Sequence, residues 1–176
     1  DGKALSRPER EAAFWALADD AVRARPRDGF AWALRGRALV DAGRMKEALV
    51  DLTRAAVFGG AARGHALAWR GRAALLLGAF ARAEADLSAA LKISSVTVYR
   101  AWRAEARWRT GSIRSALSEL DAALKVPSRR LAPYFELRGD LRLNAGRSVE
   151  AKDDYETAFV FDAKRLAARE KAARLR

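Results

Sequence analysis

Apolar and small residues recur every three to four positions along most of the chain, which is the spacing of one face of an α-helix. Glycines, prolines and short polar pairs interrupt this pattern, and residues of these kinds favour the ends of helices. The pattern predicts helices over residues 8–25, 30–42, 45–58, 64–77, 80–93, 97–110, 113–126, 131–145, 149–161 and 164–176.

Glycines at nearly equal intervals separate the two helices of each successive pair. Gly43, Gly78, Gly111 and Gly146 are 35, 33 and 35 residues apart. Each follows a first helix at a point where the backbone needs a positive φ, which glycine adopts most easily. A period of about 34 residues with two helices per unit is typical of a helical solenoid, whose units bury their apolar faces by stacking on one another.

Small residues inside the helices repeat with the same period. Each first helix carries one small residue near its middle, and each second helix carries an alanine, then a large residue, then another alanine. The four sets are Gly36, Gly71, Ala104 and Gly139; Ala48, Ala83, Ala116 and Ala151; Leu52, Leu87, Leu120 and Tyr155; and Ala55, Ala90, Ala123 and Ala158. Over residues 29–162 this combination resembles the tetratricopeptide repeat (TPR) family.

The resemblance implies an all-α, TPR-type, right-handed helical solenoid of antiparallel helix pairs. We expect four repeats within residues 29–163, at about 29–63, 64–96, 97–131 and 132–163. Residues 1–28 are expected to hold an N-terminal helix that is a partial repeat or a cap, and residues 164–176 a basic capping helix.

Two charged positions recur with the repeats. An arginine precedes the small residue of every first helix, and an acid precedes the large residue of every second helix. The arginines are Arg35, Arg70, Arg103 and Arg138, and the acids are Asp51, Asp86, Glu119 and Asp154. This recurrence predicts an ion pair that ties two helices together, within a repeat or between neighbours.

The chain departs from the family pattern at positions that are usually large or aromatic. Arg100 and Arg107 occupy two such positions in the third first helix, and Arg142 occupies one in the fourth. Either the long arginine stems cover the core while their charged ends reach water, or that helix is shifted for a functional purpose.

Composition adds a strong positive charge. The net charge is +12, which reflects either the Ala/Arg usage of a GC-rich genome or an acidic partner such as nucleic acid, anionic lipid or an acidic peptide.

The absence of cysteine excludes disulfides and fits either the cytosol or a periplasm. We expect a soluble protein, cytoplasmic by default, with neither a transmembrane helix nor a signal peptide. Because the only methionine is Met45, we expect a processed chain or a piece of a longer one.

Residues for catalysis or metal binding are scarce. His65 is the only histidine, and no cysteine accompanies it. Without a second ligand or a base we expect no metal site and no activated nucleophile. The glycine motifs that bind phosphates are also missing. We therefore expect a protein that is not an enzyme and binds no cofactor.

In TPR proteins the first helices line a concave groove in which partner peptides or helices lie. The resemblance places these residues in the groove: Phe30, Arg37, Val40, His65, Arg72, Leu75, Glu105, Trp108, Arg109 and Asp140. Arg37 and Arg72 stand one repeat apart and could hold carboxylates, while Glu105 and Asp140 take the same place further along the chain. We therefore expect a groove that is basic at its N-terminal end and acidic at its C-terminal end.

The predicted function is that of a scaffold or adaptor for protein–protein interaction, which holds a partly acidic peptide or helix in this groove. The carboxylate clamp of heat-shock-chaperone co-factors is not expected, because Ala33 and Arg37 stand where it needs lysine and asparagine. One alternative is binding of single-stranded RNA or DNA by arginines interleaved with Trp69, Tyr99, Trp102 and Trp108. A second is an assembly element of a bacterial envelope or secretion complex, and self-association through the terminal helices is a third.

Overall fold

The computed structural model describes residues 6–175, and within these residues the chain is helical and has no strand. The α-helices of this range are α1 (Arg7–Ala24), α2 (Gly29–Asp41), α3 (Met45–Phe58), α4 (Arg63–Leu76), α5 (Phe80–Ile93), α6 (Thr97–Arg109), α7 (Ile113–Ala123), α8 (Ala132–Asn144), α9 (Ser148–Phe161) and α10 (Leu166–Arg174). The prediction of an all-α chain is confirmed.

The chain divides into two compact units, Asp1–Ser94 and Ser95–Arg176. The first unit contains α1 to α5, and the second contains α6 to α10. In each unit the consecutive helices pack on one another as pairs, α2 with α3, α4 with α5, α6 with α7 and α8 with α9. Residues 1–5 and 176, which belong to the expected terminal caps, lie outside the described residues.

The turn glycines have the backbone conformation that the sequence predicts. Gly43, Gly78, Gly111 and Gly146 have φ values of 78°, 78°, 85° and 77°. After α2, the N–H groups of Gly43 and Arg44 donate to the carbonyls of Val40 and Leu39 at 3.0 and 2.8 Å. These bonds satisfy carbonyls at the helix end and reverse the chain within a few residues.

The small residues let the paired helices approach closely. A Cβ atom added at Gly36 would lie 2.6 Å from Cγ of Leu52, and one at Gly139 would lie 2.6 Å from Cε1 of Tyr155. Leu52 and Tyr155 are fully buried in these contacts. A large residue of one helix therefore fills the space that a side chain at the glycine of its partner helix would occupy.

Most helix ends lie within one residue of the sequence prediction, whereas the end of α7 and both ends of α10 differ by two or three residues. Helix α7 ends at Ala123 instead of 126, and its last backbone hydrogen bond joins the N–H of Leu124 to the carbonyl of Leu120 at 2.8 Å. Helix α10 begins at Leu166 instead of 164, because the N–H of Arg165 donates to the carbonyl of Asp162 at 2.9 Å in a separate turn.

Candidate functional site

A recurrent ion pair joins the two helices of each helix pair. Nε of Arg35 donates to one carboxylate oxygen of Asp51 at 2.6 Å, and Nη2 donates to the other at 2.9 Å. The same two-pronged contact joins Arg70–Asp86, Arg103–Glu119 and Arg138–Asp154. The predicted ion pairs are confirmed, and each lies within one helix pair. These four arginines therefore hold the scaffold together.

The first unit also carries a cluster of cationic and aromatic side chains on α2 and α4. The guanidinium of Arg37 lies over the ring of Trp69, 5.0 Å from its centroid, and the ring of His65 lies 6.0 Å from that of Trp69. Asp41, one turn along α2, approaches Arg37 at 3.8 Å. We call Arg37, His65, Trp69 and the half-buried Arg72 the α2–α4 cluster.

The electrostatics of this cluster favour anions. Burial, followed by the charge of Arg37, lowers the pKa of His65, so the imidazole is neutral near pH 7. The side chain of Arg37 is 40% exposed and that of Asp41 is 61% exposed. An ion pair this long and this exposed contributes little to stability. Arg37 can therefore exchange Asp41 for another carboxylate at low cost.

Two of the predicted groove residues are part of the core. Val40 and Leu75 are only 6% and 4% exposed. Val40 packs in a cluster with Leu39, Leu52 and Ala73, because α4 covers this part of α2. Neither side chain offers a partner an open surface. Phe30, by contrast, is 66% exposed at the start of α2.

The predicted groove residues of the second unit lie on α6 and α8. Glu105 accepts a hydrogen bond from the hydroxyl of Tyr134 at 3.3 Å. The guanidinium of Arg109 lies over the ring of Trp108, 5.1 Å from its centroid. Asp140 is engaged by the C-terminal helix, since Nζ of Lys171 lies 2.8 Å from its carboxylate.

The contact with Lys171 corrects the expected charge of this end of the groove. Lys171 also reaches Glu136 at 3.0 Å, and the hydroxyl of Tyr155 donates to Asp140 at 2.9 Å. Although burial opposes its charge, hydrogen bonds to Asp140 and Glu136 raise the pKa of Lys171. Burial, and then the bond to Asp140, raise the pKa of Tyr155. Asp140, which was expected to face a ligand, is therefore paired with a cation from a helix of the same unit, whereas Glu105 keeps its hydrogen bond from Tyr134.

Sequence reasoning missed a cleft of about 740 Å³ between α1 and α2. Phe14 and Trp15 of α1 and Leu34, Arg37 and Ala38 of α2 are among the residues that line it. The sequence contained one indication of this cleft. Leu34 stands 35 residues before Trp69, so it occupies in α2 the position that Trp69, a member of the α2–α4 cluster, occupies in α4. Among residues 6–175, no three or more His, Cys, Asp or Glu side chains are placed together so that they could bind a metal ion.

Solved structures resemble this arrangement of helix pairs. TTC0263, a TPR protein of Thermus thermophilus, superposes with a TM-score of 0.71 at 19% identity, over 91% of this chain and 87% of its own. YrrB, a TPR protein with an unusual peptide-binding site, gives 0.70 at 15% identity, over 88% of this chain and 79% of its own. The first TPR domain of Spaghetti (RPAP3), bound to the HSP90 peptide SRMEEVD, gives 0.59 at 20% identity, over 66% and 92%.

The chain has the TPR fold. The resemblance that was drawn from the turn glycines and the small residues is thereby confirmed for the architecture. No protein-family model matches the sequence. No curated protein matches it either.

Two of the three arginines that depart from the TPR pattern, Arg107 and Arg142, extend the ion pairs. Arg107 lies 3.3 Å from the carboxylate of Glu119, and Arg142 lies 2.9 Å from that of Asp154 and 2.8 Å from that of Asp121. Both side chains are largely buried. These arginines therefore add a second cation to the recurrent pair in this unit, where the first unit has Leu39 and Ala74. This network belongs to the packing of the TPR helices.

Within the described residues, none of the TPR helices combines the length and the apolar character that crossing a membrane requires.

Proposed function

We propose that this chain is a non-enzymatic scaffold that binds a peptide or helix of another protein through its α2–α4 cluster. The TPR fold supports this proposal, since two of the structures it resembles are a protein with a peptide-binding site and a domain bound to a peptide. The bound segment is acidic where it meets Arg37 and Arg72.

The observation that carries the proposal is the setting of Arg37. Its guanidinium is stacked on Trp69 and is therefore held in one orientation, while its ion pair with Asp41 is long and exposed. A cation that is preorganised in this way loses little side-chain entropy when it binds a carboxylate. Trp69 offers an apolar surface beside it.

The repeat sets the spacing of the two charges. Arg37 and Arg72 occupy equivalent positions on α2 and α4, which pack directly against each other. Packed helices lie about 8–10 Å apart, and a chain in the polyproline II conformation rises about 3.1 Å per residue with three residues per turn. Carboxylates three residues apart in such a ligand lie on one face and match this spacing.

Binding of single-stranded nucleic acid receives less support from the same geometry. Base stacking requires an open aromatic face. Tyr99 and Trp102 are buried at 6% and 7% exposure, and Trp69 is covered on one side by Arg37. Tyr99 and Trp102 serve the packing of the first helices.

The test begins with selection of peptides from a display library on the intact chain at 150 mM salt. The affinity of the selected peptides is then measured for the chain and for the double variant Arg37→Glu/Arg72→Glu. Reversing two charges that contact carboxylates should weaken binding at least about tenfold, since each charged hydrogen bond contributes about 1.5–3 kcal/mol.

The matched control is Arg63→Glu/Arg82→Glu, which changes the net charge equally at two exposed positions on α4 and α5. It should leave the affinity within about twofold, because neither residue belongs to the α2–α4 cluster and only the diffuse charge of the protein changes. Thermal unfolding of both variants checks that the fold is retained. Equal affinity of the selected peptides for the chain and for Arg37→Glu/Arg72→Glu would contradict the proposal.

A further inference from the structure

The C-terminal helix α10 is attached to its unit by few apolar contacts. It is only nine residues long, and the residues that it buries are Ala168 and Ala172. Its one large apolar residue near the start, Leu166, is 58% exposed. No side chain caps its N-terminus. A helix of this length is not stable alone, so it depends on what it docks against.

Ion pairs supply most of what holds α10 against α8. Nζ of Lys171 lies 3.0 Å from Glu136 and 2.8 and 3.1 Å from the two oxygens of Asp140. Nε of Arg165, which precedes the helix, lies 3.2 Å from Glu136. Lys171 also lies over the ring of Tyr155, 5.4 Å from its centroid.

The backbone of α10 packs on α9, and α10 reaches α8 through its side chains. The Nε atom of Arg165 is buried and makes no hydrogen bond. Pairs such as Lys171–Asp140, whose side chains are 36% and 41% exposed, hold weakly and are sensitive to salt.

We propose that Glu136 and Asp140 on α8, with Tyr155 beside them, form a binding site for a basic amphipathic helix of another protein, and that α10 occupies this site within its own chain. The occupant is defined by α10 itself, which places a cation at residue 165, small residues at 168 and 172 and a cation at 171. A partner helix with cations six residues apart around small residues presents the same face. Such a helix competes with α10, whose local concentration is high because its connection is short.

This proposal does not depend on the function proposed for the α2–α4 cluster. It concerns the second unit and a ligand of the opposite charge. Failure of either proposal leaves the other unchanged, because their variants and probes share no residue.

The probe is a fluorescent peptide of residues 163–175, with a hydrocarbon staple replacing the exposed Glu170 and Arg174 so that it is helical before it binds. Its affinity is measured by fluorescence anisotropy with the full chain and with Arg165→Gln/Lys171→Gln. The variant removes the ion pairs of the resident helix and should bind the probe roughly tenfold more tightly than the unchanged chain. Binding should weaken between 50 and about 300 mM salt.

The matched control, Lys164→Gln/Arg174→Gln, removes two positive charges from exposed positions at the two ends of the same segment and should bind the probe like the unchanged chain. Adding Glu136→Gln/Asp140→Asn to Arg165→Gln/Lys171→Gln should abolish the gain. Circular dichroism confirms that the remaining helices persist.

Two results would overturn the proposal. One is a probe affinity that is equal for the unchanged chain and Arg165→Gln/Lys171→Gln, or that survives neutralisation of the two acids. The other is a concentration-dependent dimer, detected by sedimentation velocity, that Glu136→Gln/Asp140→Asn dissolves. Such a dimer would assign the site to α10 of a second copy.

Discussion

At the scale of single residues, the fold depends on positions where a side chain is missing. Gly71 illustrates this, because a Cβ atom there would lie 2.8 Å from Cγ of Leu87 and 3.2 Å from the carbonyl oxygen of Ala83. A Cβ atom at Gly36 would lie even closer to the buried Leu52, 2.6 Å from its Cγ and 2.8 Å from its Cδ2. The third repeat accepts Ala104 at the equivalent position. The requirement is therefore for a small residue, and its strictness varies with what lies opposite.

Gly71→Ala should destabilise the protein even though alanine is the better helix former. The gain in helix propensity is about 1 kcal/mol, and the cost of overpacking against a fixed carbonyl is about 1–3 kcal/mol. We expect a net loss of about 1 kcal/mol in the free energy of unfolding, measured by urea denaturation. Gly36→Ala is the matched comparison and should also lose stability, because its Cβ would meet the fully buried Leu52. Stabilisation by Gly71→Ala would mean that helix propensity alone decides this position.

At the scale of helices, the recurrent arginine–acid pair fixes how the two helices of a pair are placed. Asp86 is 10% exposed in its side chain, and Arg70 contributes two hydrogen bonds to it. Hydrogen bonding to Asp86 raises the pKa of Arg70. The guanidinium plane allows one relative orientation of the helices, which apolar packing alone specifies less well.

The Arg70–Asp86 pair can be tested with a double-mutant cycle. Arg70→Met should cost about 2–4 kcal/mol, because it leaves the buried carboxylate of Asp86 without its partner; this is somewhat below the value for fully buried pairs. Asp86→Leu should cost less, since the arginine stem can reach water. The double variant should be more stable than the sum of the two losses predicts. Strictly additive losses in urea denaturation would contradict the ion pair. Arg147→Met, at an exposed pair, is the control and should have a much smaller effect.

The helix pairs could be predicted from the sequence, whereas the end of α7 could not. The turn glycines and the repeated small residues predicted the helix pairs, since both report contacts between helices that are adjacent in sequence. The early end of α7 was missed because the restraint from Pro127 marks only Val126 in the sequence, whereas the helix already ends at Ala123.

At the scale of the whole molecule, the net charge of +12 comes from cations on exposed helix faces, since many of the acids are paired inside the fold. Each of the four recurrent acids forms an ion pair with an arginine of its own helix pair. Many of the remaining cations lie on exposed helix faces, where they give the protein a diffuse positive field. Such a field attracts any polyanion at low salt without forming a specific site.

The diffuse charge and the α2–α4 cluster should respond differently to salt and to mutation. A fluorescent single-stranded oligonucleotide should bind at 50 mM salt and lose at least about tenfold in affinity by 200 mM, since counterion release dominates. Arg37→Glu/Arg72→Glu and Arg63→Glu/Arg82→Glu should weaken this binding equally, because both change the net charge by the same amount. A selective loss with the first variant would instead place nucleic acid at the cluster, and anisotropy titrations distinguish the two outcomes.

The sequence by itself determined the features that repeat: the helix pairs, the glycine turns, the small residues between helices and the arginine–acid pairs. These are encoded by a fixed spacing, and each involves residues no more than one helix pair apart. Only the tertiary structure decided which first-helix residues stay open, since Val40 and Arg37 lie three positions apart and yet one is core and the other reaches solvent. It also decided the fate of Asp140, whose partner Lys171 is 31 residues away. The rotation and docking of a helix depend on everything that packs around it, and a periodic pattern does not contain that information.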